Sequence, residues 1–252
     1  MCQVYIYQTE PVQHSVGRVA PWLASRGGGT GSEPDLILKR RPGNVDPGSV
    51  YHPFMDGSRD VTVFVLAGGK SMRMGTDKAF VDFEGRTLLA RALDLARSVT
   101  ADVRIVGARE KFARFAPVVE DIFRERGPLG GIHAALRTSE TELNFMLAVD
   151  MPFVSSAFLQ YVIGVAHTEN AASVIVPRPN GHWQPLCAVY RRRFAAAAEK
   201  ALLAGDNKID LLFRATETRA IDEEELRRAG FSNAIFGNLN TREELEEQQR
   251  RA

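Results

Sequence analysis

From residue 61 onward the chain alternates short apolar runs with segments of helical periodicity. Val61, Val63, Phe64, Val65 and Leu66 form an almost unbroken apolar run, the pattern of a strand covered on both faces. Thr87, Leu88, Leu89, Ala92, Leu93, Leu95, Ala96 and Val99 recur at helical spacing, with Thr87 as a candidate N-cap. Further strands are predicted at 103–106 and at Val118 and Val119, the second ending on Glu120-Asp121. Gly127 to Gly131 predicts a turn into a helix through Ile132, Ala135 and Leu136. Phe145 to Val149 predicts a buried strand that ends at Asp150-Met151-Pro152, and Ser155 or Ser156 caps a helix through Phe158, Leu159 and Val162. Strands at 172–176 and 184–190 flank a turn at 177–181. A helix at 195–203 follows, then one capped by Asp206, and a capping box of Thr241 and Glu244 opens a last charged helix. Strand–helix alternation of this kind predicts an α/β fold: three layers around a mostly parallel, doubly wound sheet, with a smaller strand pair near 172–190.

Residues 1–58 break this pattern. Fourteen glycines and prolines, among them Gly27, Gly28, Gly29, Pro42, Pro47 and Pro53, interrupt any periodicity, and the apolar patches between them are too short for a core. The expectation is a disordered N-terminal extension over 1–58 and one domain over 59–252. Met55, just before the first strand, stands where a compact domain would start.

Composition narrows the function mainly by exclusion. A formal net charge of +1 gives no global attraction to nucleic acid or to a membrane surface. Cys2 and Cys187 are far apart and follow no metal-ligand spacing, so a cytoplasmic protein without a disulfide framework or a zinc site is expected. No apolar run reaches the roughly 18 residues of a membrane span, and the first residues carry no secretory pattern.

Candidate chemistry gathers where the first strand ends. Gly68 and Gly69 remove two Cβ atoms at that point, letting backbone N–H groups approach an anion, and Lys70, Arg73 and Lys78 follow. In an arbitrary loop these would be solvated charges. Directly after a buried strand, Arg73 and Lys78 read as phosphate contacts and Lys70 remains a solvated charge. Two common nucleotide motifs are excluded. Gly69-Lys70-Ser71 resembles the end of a P-loop, but Phe64 stands where its first glycine belongs, and adjacent Gly68 and Gly69 do not fit Gly-x-Gly-x-x-Gly. Asp150, at the carboxyl end of a strand, is a hard oxygen ligand suited to Mg²⁺. The run Arg191-Arg192-Arg193 reads as a solvated face, and the scattered histidines form no ligand set.

The stretch Leu66-Ala-Gly-Gly-Lys-Ser-Met-Arg-Met-Gly-Thr-Asp-Lys-Ala79 resembles the signature loop of the molybdenum cofactor guanylyltransferase (MobA) family. Gly127-Pro-Leu-Gly-Gly131, Asp150-Met-Pro-Phe153 and Phe236-Gly-Asn-Leu-Asn-Thr241 resemble three further motifs of that family, in its order, so the likeness spans about residues 61 to 247. The resemblance implies a Rossmann-like nucleotidyltransferase fold and transfer of GMP from Mg·GTP to the terminal phosphate of molybdopterin. It implies Lys78, Arg73 and Asp150 as catalytic residues, with Asp150 on the metal. It places Leu66, Ala67, Gly68, Gly69, Lys78, Asp121, Gly127 and Asp150 around the nucleotide, Asp121 on the guanine side. Gln184, Asn238 and Asn240 fall to the acceptor, and Arg178, Asn180 and His182, just before Gln184, are candidates to line a pocket for an anionic pterin. Cofactor-insertion proteins and molybdoenzymes are the implied partners. One departure is Val106-Gly107-Ala108, where the family often carries an asparagine. Alternatives are a cytidylyl-transferring relative, an enzyme acting on sugar phosphates, or a non-catalytic nucleotide or cofactor carrier. Leu-Ala-Gly-Gly at 66–69, where cytidylyl enzymes resemble Leu-Ala-Ala-Gly, favours GTP.

Overall fold

The computed structural model describes residues 60–68 and 77–237. The extension at 1–58, Gly69, Lys70, Arg73, Asn238, Asn240 and the capping box of Thr241 and Glu244 lie outside the described residues, apart from the loop end at Lys78. The first strand, β1 (Val61–Leu66), is buried along its whole length. It lies between β4 (Val103–Val106) and β6 (Leu143–Ala148), parallel to both. β5 (Val118–Val119) extends the sheet beyond β4, and β8 (Cys187–Arg191), β7 (Val174–Arg178) and β9 (Thr218–Asp222) extend it beyond β6. Among the described strands of this sheet, β8 alone runs antiparallel to its neighbours. A separate two-residue hairpin, β2 (Asp82–Phe83) and β3 (Arg86–Thr87), turns at Glu84 and Gly85, both with positive φ, as a two-residue hairpin turn demands.

The alternation along β1 builds the layers. Val61, Val63 and Val65 point to one face, where they meet Leu88, Leu89 and Leu93 of α1 (Leu88–Arg97) and Phe158, Leu159 and Val162 of α4 (Ser156–Thr168). Phe64 and Leu66 point to the other, against Leu129, Ile132 and Leu136 of α3 (Gly127–Thr138) and Phe194, Ala198 and Leu202 of α5 (Phe194–Leu203). Each such large apolar side chain contributes about 1.5–3 kcal/mol on burial. The caps follow the sequence: Thr87 Oγ1 accepts from Ala90 N and Ser155 Oγ from Phe158 N. Thr62, the one polar residue of β1, donates to Asp102 Oδ2 at 2.7 Å, which satisfies a buried hydroxyl. Among the described residues no helix is long and apolar enough to cross a membrane.

Five local expectations are corrected. The strands near 172–190 are no separate pair: β7 and β8 are members of the main sheet, β8 pairing with both β6 and β7. Gln184 lies in the turn before β8, with its N–H on Pro177 O at 3.0 Å, and the strand itself begins at Cys187. The glycines from Gly127 form the first turns of α3 rather than a turn before it. Asp206 accepts from Lys208 N at 2.9 Å, but Lys208 is the N-cap of α6 (Ile209–Ala215), so Asp206 shapes the approach and does not cap.

The fifth correction concerns Arg191, which is no part of a solvated face. It is the last residue of β8, only 6% exposed, and its guanidinium donates to Ala172 O (3.0 Å) and Ala166 O (2.7 Å). Arg193 likewise donates to the carbonyls of Asn170, Ala171 and Ala172. Several elements were not foreseen, β9 and the helix after it among them. In β9 only Ile221 is buried, too weak a pattern to read as a strand. The helix that follows, α7 (Glu223–Arg228), is capped by Asp222 accepting from Glu225 N at 2.8 Å, an Asp-x-x-Glu signal that was present in the sequence.

Candidate active site

The order of strands creates the site. From β1 the chain moves outward to β4 and β5, then returns through α3 to β6 on the other side of β1. The carboxyl ends of β1 and β6 therefore flank the point where the winding reverses, the place where open α/β sheets bind ligands. Hydrogen bonds beyond the strands hold this rim together: Ala67 N to Val106 O (3.0 Å), Gly107 N to Val119 O (3.0 Å) and Val149 N to Leu66 O (3.1 Å).

A cavity of about 590 Å³ opens at this rim. Of the residues singled out from the sequence, Leu66, Ala67, Gly68, Lys78, Asp121, Gly127 and Asp150 all line it. Gln184 does not; Leu186, two residues on, does. Glu125 and Leu186 are lining residues that the sequence did not single out, and Pro128 and Gly131 come from the Gly127–Gly131 motif named above. Glu125 has a positive φ of 62° beside Gly127, also at 62°, so a tight loop carries both to the wall. Leu186 reaches the site because β8 inserts beside β6, which no local signal reveals.

Lys78 and Asp150 form the charged centre. Lys78 Nζ donates to Asp150 Oδ2 at 3.0 Å, with side chains 18% and 20% exposed. Lys78 opens a single 3₁₀ turn at Lys78–Phe80, which Asp77 caps by accepting from Ala79 N. The other oxygen of Asp77 accepts from Lys111 Nζ at 2.8 Å, and this bond raises the Lys111 pKa. Asp150 follows β6 directly and so stands where the sheet ends.

Asp121 faces the first turns of α3. A Cβ at Gly131 would sit 3.5 Å from Asp121 Oδ1 and 3.2 Å from Val106 Cγ1, and one at Gly130 would meet Phe123 O at 2.8 Å. The two glycines thus let α3 lie close against the sheet and leave the carboxylate against bare helix. Burial raises the Asp121 pKa above its ordinary 3.8, because a low-dielectric wall disfavours the charged form. Gly68 differs: a Cβ there would make only ordinary 3.7 Å contacts, so what its absence offers is open backbone toward the cavity. The Ala67 N–H is committed to Val106 O, so Ala67 serves as wall and not as donor.

A second crevice, about 480 Å³, shares Ala67, Gly68 and Asp121 with the first and extends over Gly107, Lys111 and Arg124. A Cβ at Gly107 would meet the ring of Phe112, the last residue of α2 (Arg109–Phe112), at 2.8 Å, so Phe112 occupies the space an asparagine side chain would need to leave that position. The two chambers meet at the end of β1.

A doubly wound sheet with adjoining chambers at its switch point, a lysine–carboxylate pair in one and a half-buried carboxylate shared by both, defines a nucleotidyltransferase. The MobA-like NTP transferase domain matches residues 63–220, and the chain belongs to that family. It is 38% identical over 189 residues to the molybdenum cofactor guanylyltransferase of Desulfosudis oleivorans, a match that covers 74% of this chain and 93% of the relative. Its identity to the enzyme of that name from Syntrophotalea carbinolica is 33%, over 74% of this chain and 89% of the relative. The crystal structure of molybdopterin-guanine dinucleotide biosynthesis protein A from Archaeoglobus fulgidus superposes with a TM-score of 0.66 at 28% identity, covering 75% of this chain and 97% of that one.

Proposed function

We propose that the chain transfers GMP from Mg·GTP to the terminal phosphate of molybdopterin and releases pyrophosphate. The observation that carries this reading is the Lys78–Asp150 pair, 3.0 Å apart on the wall of the cavity at the sheet's switch point, in a chain 38% identical to a molybdenum cofactor guanylyltransferase. An oxygen of the acceptor phosphate attacks the α-phosphorus of GTP in line, and the bond from that phosphorus to the bridging oxygen of the β-phosphate breaks. Little covalent chemistry falls to the protein; its work is to position the reactants and neutralise charge.

Each residue has a part in that work. Lys78 supplies a point charge to the triphosphate, and Gly68 brings bare backbone to it. The N-terminal turn of α3 adds the positive end of a twelve-residue helix beside Gly127 and Pro128. Asp121, ionised, accepts from both N1–H and the 2-amino group of guanine, a pair of donors that cytosine lacks. Arg73, Gly69, Asn238 and Asn240 complete the proposal from outside the described residues, with Gln184 beside Leu186 on the acceptor side.

The donor set fits Mg²⁺. Asp150 offers a hard carboxylate at the cavity wall, and no three His, Cys, Asp or Glu side chains among the described residues form a metal cage. An ion held by Asp150 would draw its other ligands from water and phosphate oxygens, the habit of Mg²⁺. What such an ion supplies is neutralisation of the charge that develops on the transferring phosphoryl group. Asp150→Ala is expected to abolish guanylyl transfer while the thermal unfolding transition stays cooperative and close to that of the parent. Near-normal turnover in that variant would refute the assignment.

A further inference from the structure

Beyond β6, the same rim of the sheet carries a feature that the transfer chemistry does not use. Arg178, the last residue of β7, stands over the Trp183 ring with its guanidinium carbon 4.5 Å from the centroid. Arg178 Nε donates to Gly181 O at 3.1 Å, which fixes the plane of the group. It forms no ion pair with a carboxylate among the described residues, and it is exposed. Asp222 is its register partner on β9, but that carboxylate caps α7 by accepting from Glu225 N. Asn180, in the same turn, is drawn away, with its N–H on Glu223 Oε2 at 3.1 Å. Behind Arg178, the edge-to-face contact of Trp183 with Phe213, centroids 5.2 Å apart, anchors the indole to the core.

Position gives this pair a purpose. Trp183 packs on the α3–α5 side of the sheet, and Leu186, which lines the main cavity, touches the cores of both sides. β7 is separated from β6 by β8 alone, so Arg178 stands two strand spacings from the end of β6, roughly 10 Å. That is the scale separating the terminal phosphate of molybdopterin from the far, pyrimidine end of its fused rings. A guanidinium backed by an indole, with its outer face open, is a flat cationic platform. It suits a planar conjugated ring bearing a carbonyl oxygen better than it suits a compact phosphate, which the fork would grip edge-on.

We infer that Arg178, held on Trp183, is the platform on which the pterin ring of the acceptor stacks while its phosphate lies at Lys78 and Asp150. The inference rests on molybdopterin being the acceptor. Two measurements test it separately from that reading. The sequence contains two tryptophans, Trp22 and Trp183, so in a full-length Trp22→Phe protein the indole emission reports Trp183 alone. Titration with molybdopterin should quench that emission. In transfer kinetics, Arg178→Ala should raise the KM for molybdopterin about tenfold and leave the KM for GTP within about twofold, and Arg178→Lys should recover only part of the loss, because it restores charge without the plane. An unquenched Trp183, an unmoved acceptor KM, or full rescue by lysine would each overturn the platform. Quenching in a protein that makes no product would uphold the platform and sink the transfer reading.

Discussion

Replacing Lys78 with alanine separates its work on the nucleotide from its place in the fold. In the structure its ammonium is 3.0 Å from Asp150, and both side chains are about one-fifth exposed. A pair with that access to water is not a fully buried one, so the 3–5 kcal/mol lost on breaking a buried ion pair does not apply. Asp150 can hydrate when Lys78 is gone, and the expected loss of stability is about 1 kcal/mol. The nucleotide term is larger. A charge-assisted hydrogen bond to a phosphate oxygen contributes about 1.5–3 kcal/mol, and each 1.4 kcal/mol is tenfold in affinity, so Mg·GTP should bind about 10- to 150-fold more weakly. Calorimetric titration with Mg·GTP gives the second quantity and thermal unfolding the first. An unchanged GTP affinity would refute the phosphate role. A collapse of the unfolding temperature would recast Lys78 as a structural residue.

Two further predictions use other parts of the molecule. Burial raises the Asp121 pKa above 3.8, so the group is ionised less readily in the folded than in the unfolded protein. Its destabilising effect appears as the pH rises past 3.8 and is complete above the raised folded value; Asp121→Asn should therefore keep or raise the unfolding temperature at pH 7 while weakening GTP binding, and a fall in both would contradict the base-recognition role. Arg191→Met removes the donors to Ala166 O and Ala172 O and should cost about 3 kcal/mol by denaturant unfolding with the KM for GTP unchanged; a surface-like effect near zero would refute its role as a buried tie.

The sequence exposed those parts of the fold where local pattern and tertiary fate coincide. β1 reads as a buried strand because its apolar run is broken only by Thr62, and it is buried on both faces. Thr87 reads as a cap and serves as one, and of the two candidates Ser155 and Ser156 it is Ser155 that caps. β9 was hidden because an edge strand that buries only Ile221 looks like a loop. Arg191 was misread because three consecutive arginines say nothing of which way a strand turns the first of them. The cavity follows the same division. Gly68, Lys78 and Asp150 could be named from glycines and charges at or after strand ends and Asp121 from the family resemblance, and all four line one cavity. Leu186 and Glu125 could not, since one arrives through the antiparallel insertion of β8 and the other through a loop of positive φ.

The central claim is the identity of the transferred group and its acceptor. Incubation of the full-length protein with molybdopterin, Mg²⁺ and either GTP or CTP, followed by quantitation of pyrophosphate and of the dinucleotide, tests it directly. A guanine dinucleotide product and one pyrophosphate per GTP consumed are expected, with little or no product from CTP. Equal or faster transfer from CTP, or no product from either nucleotide, would contradict it.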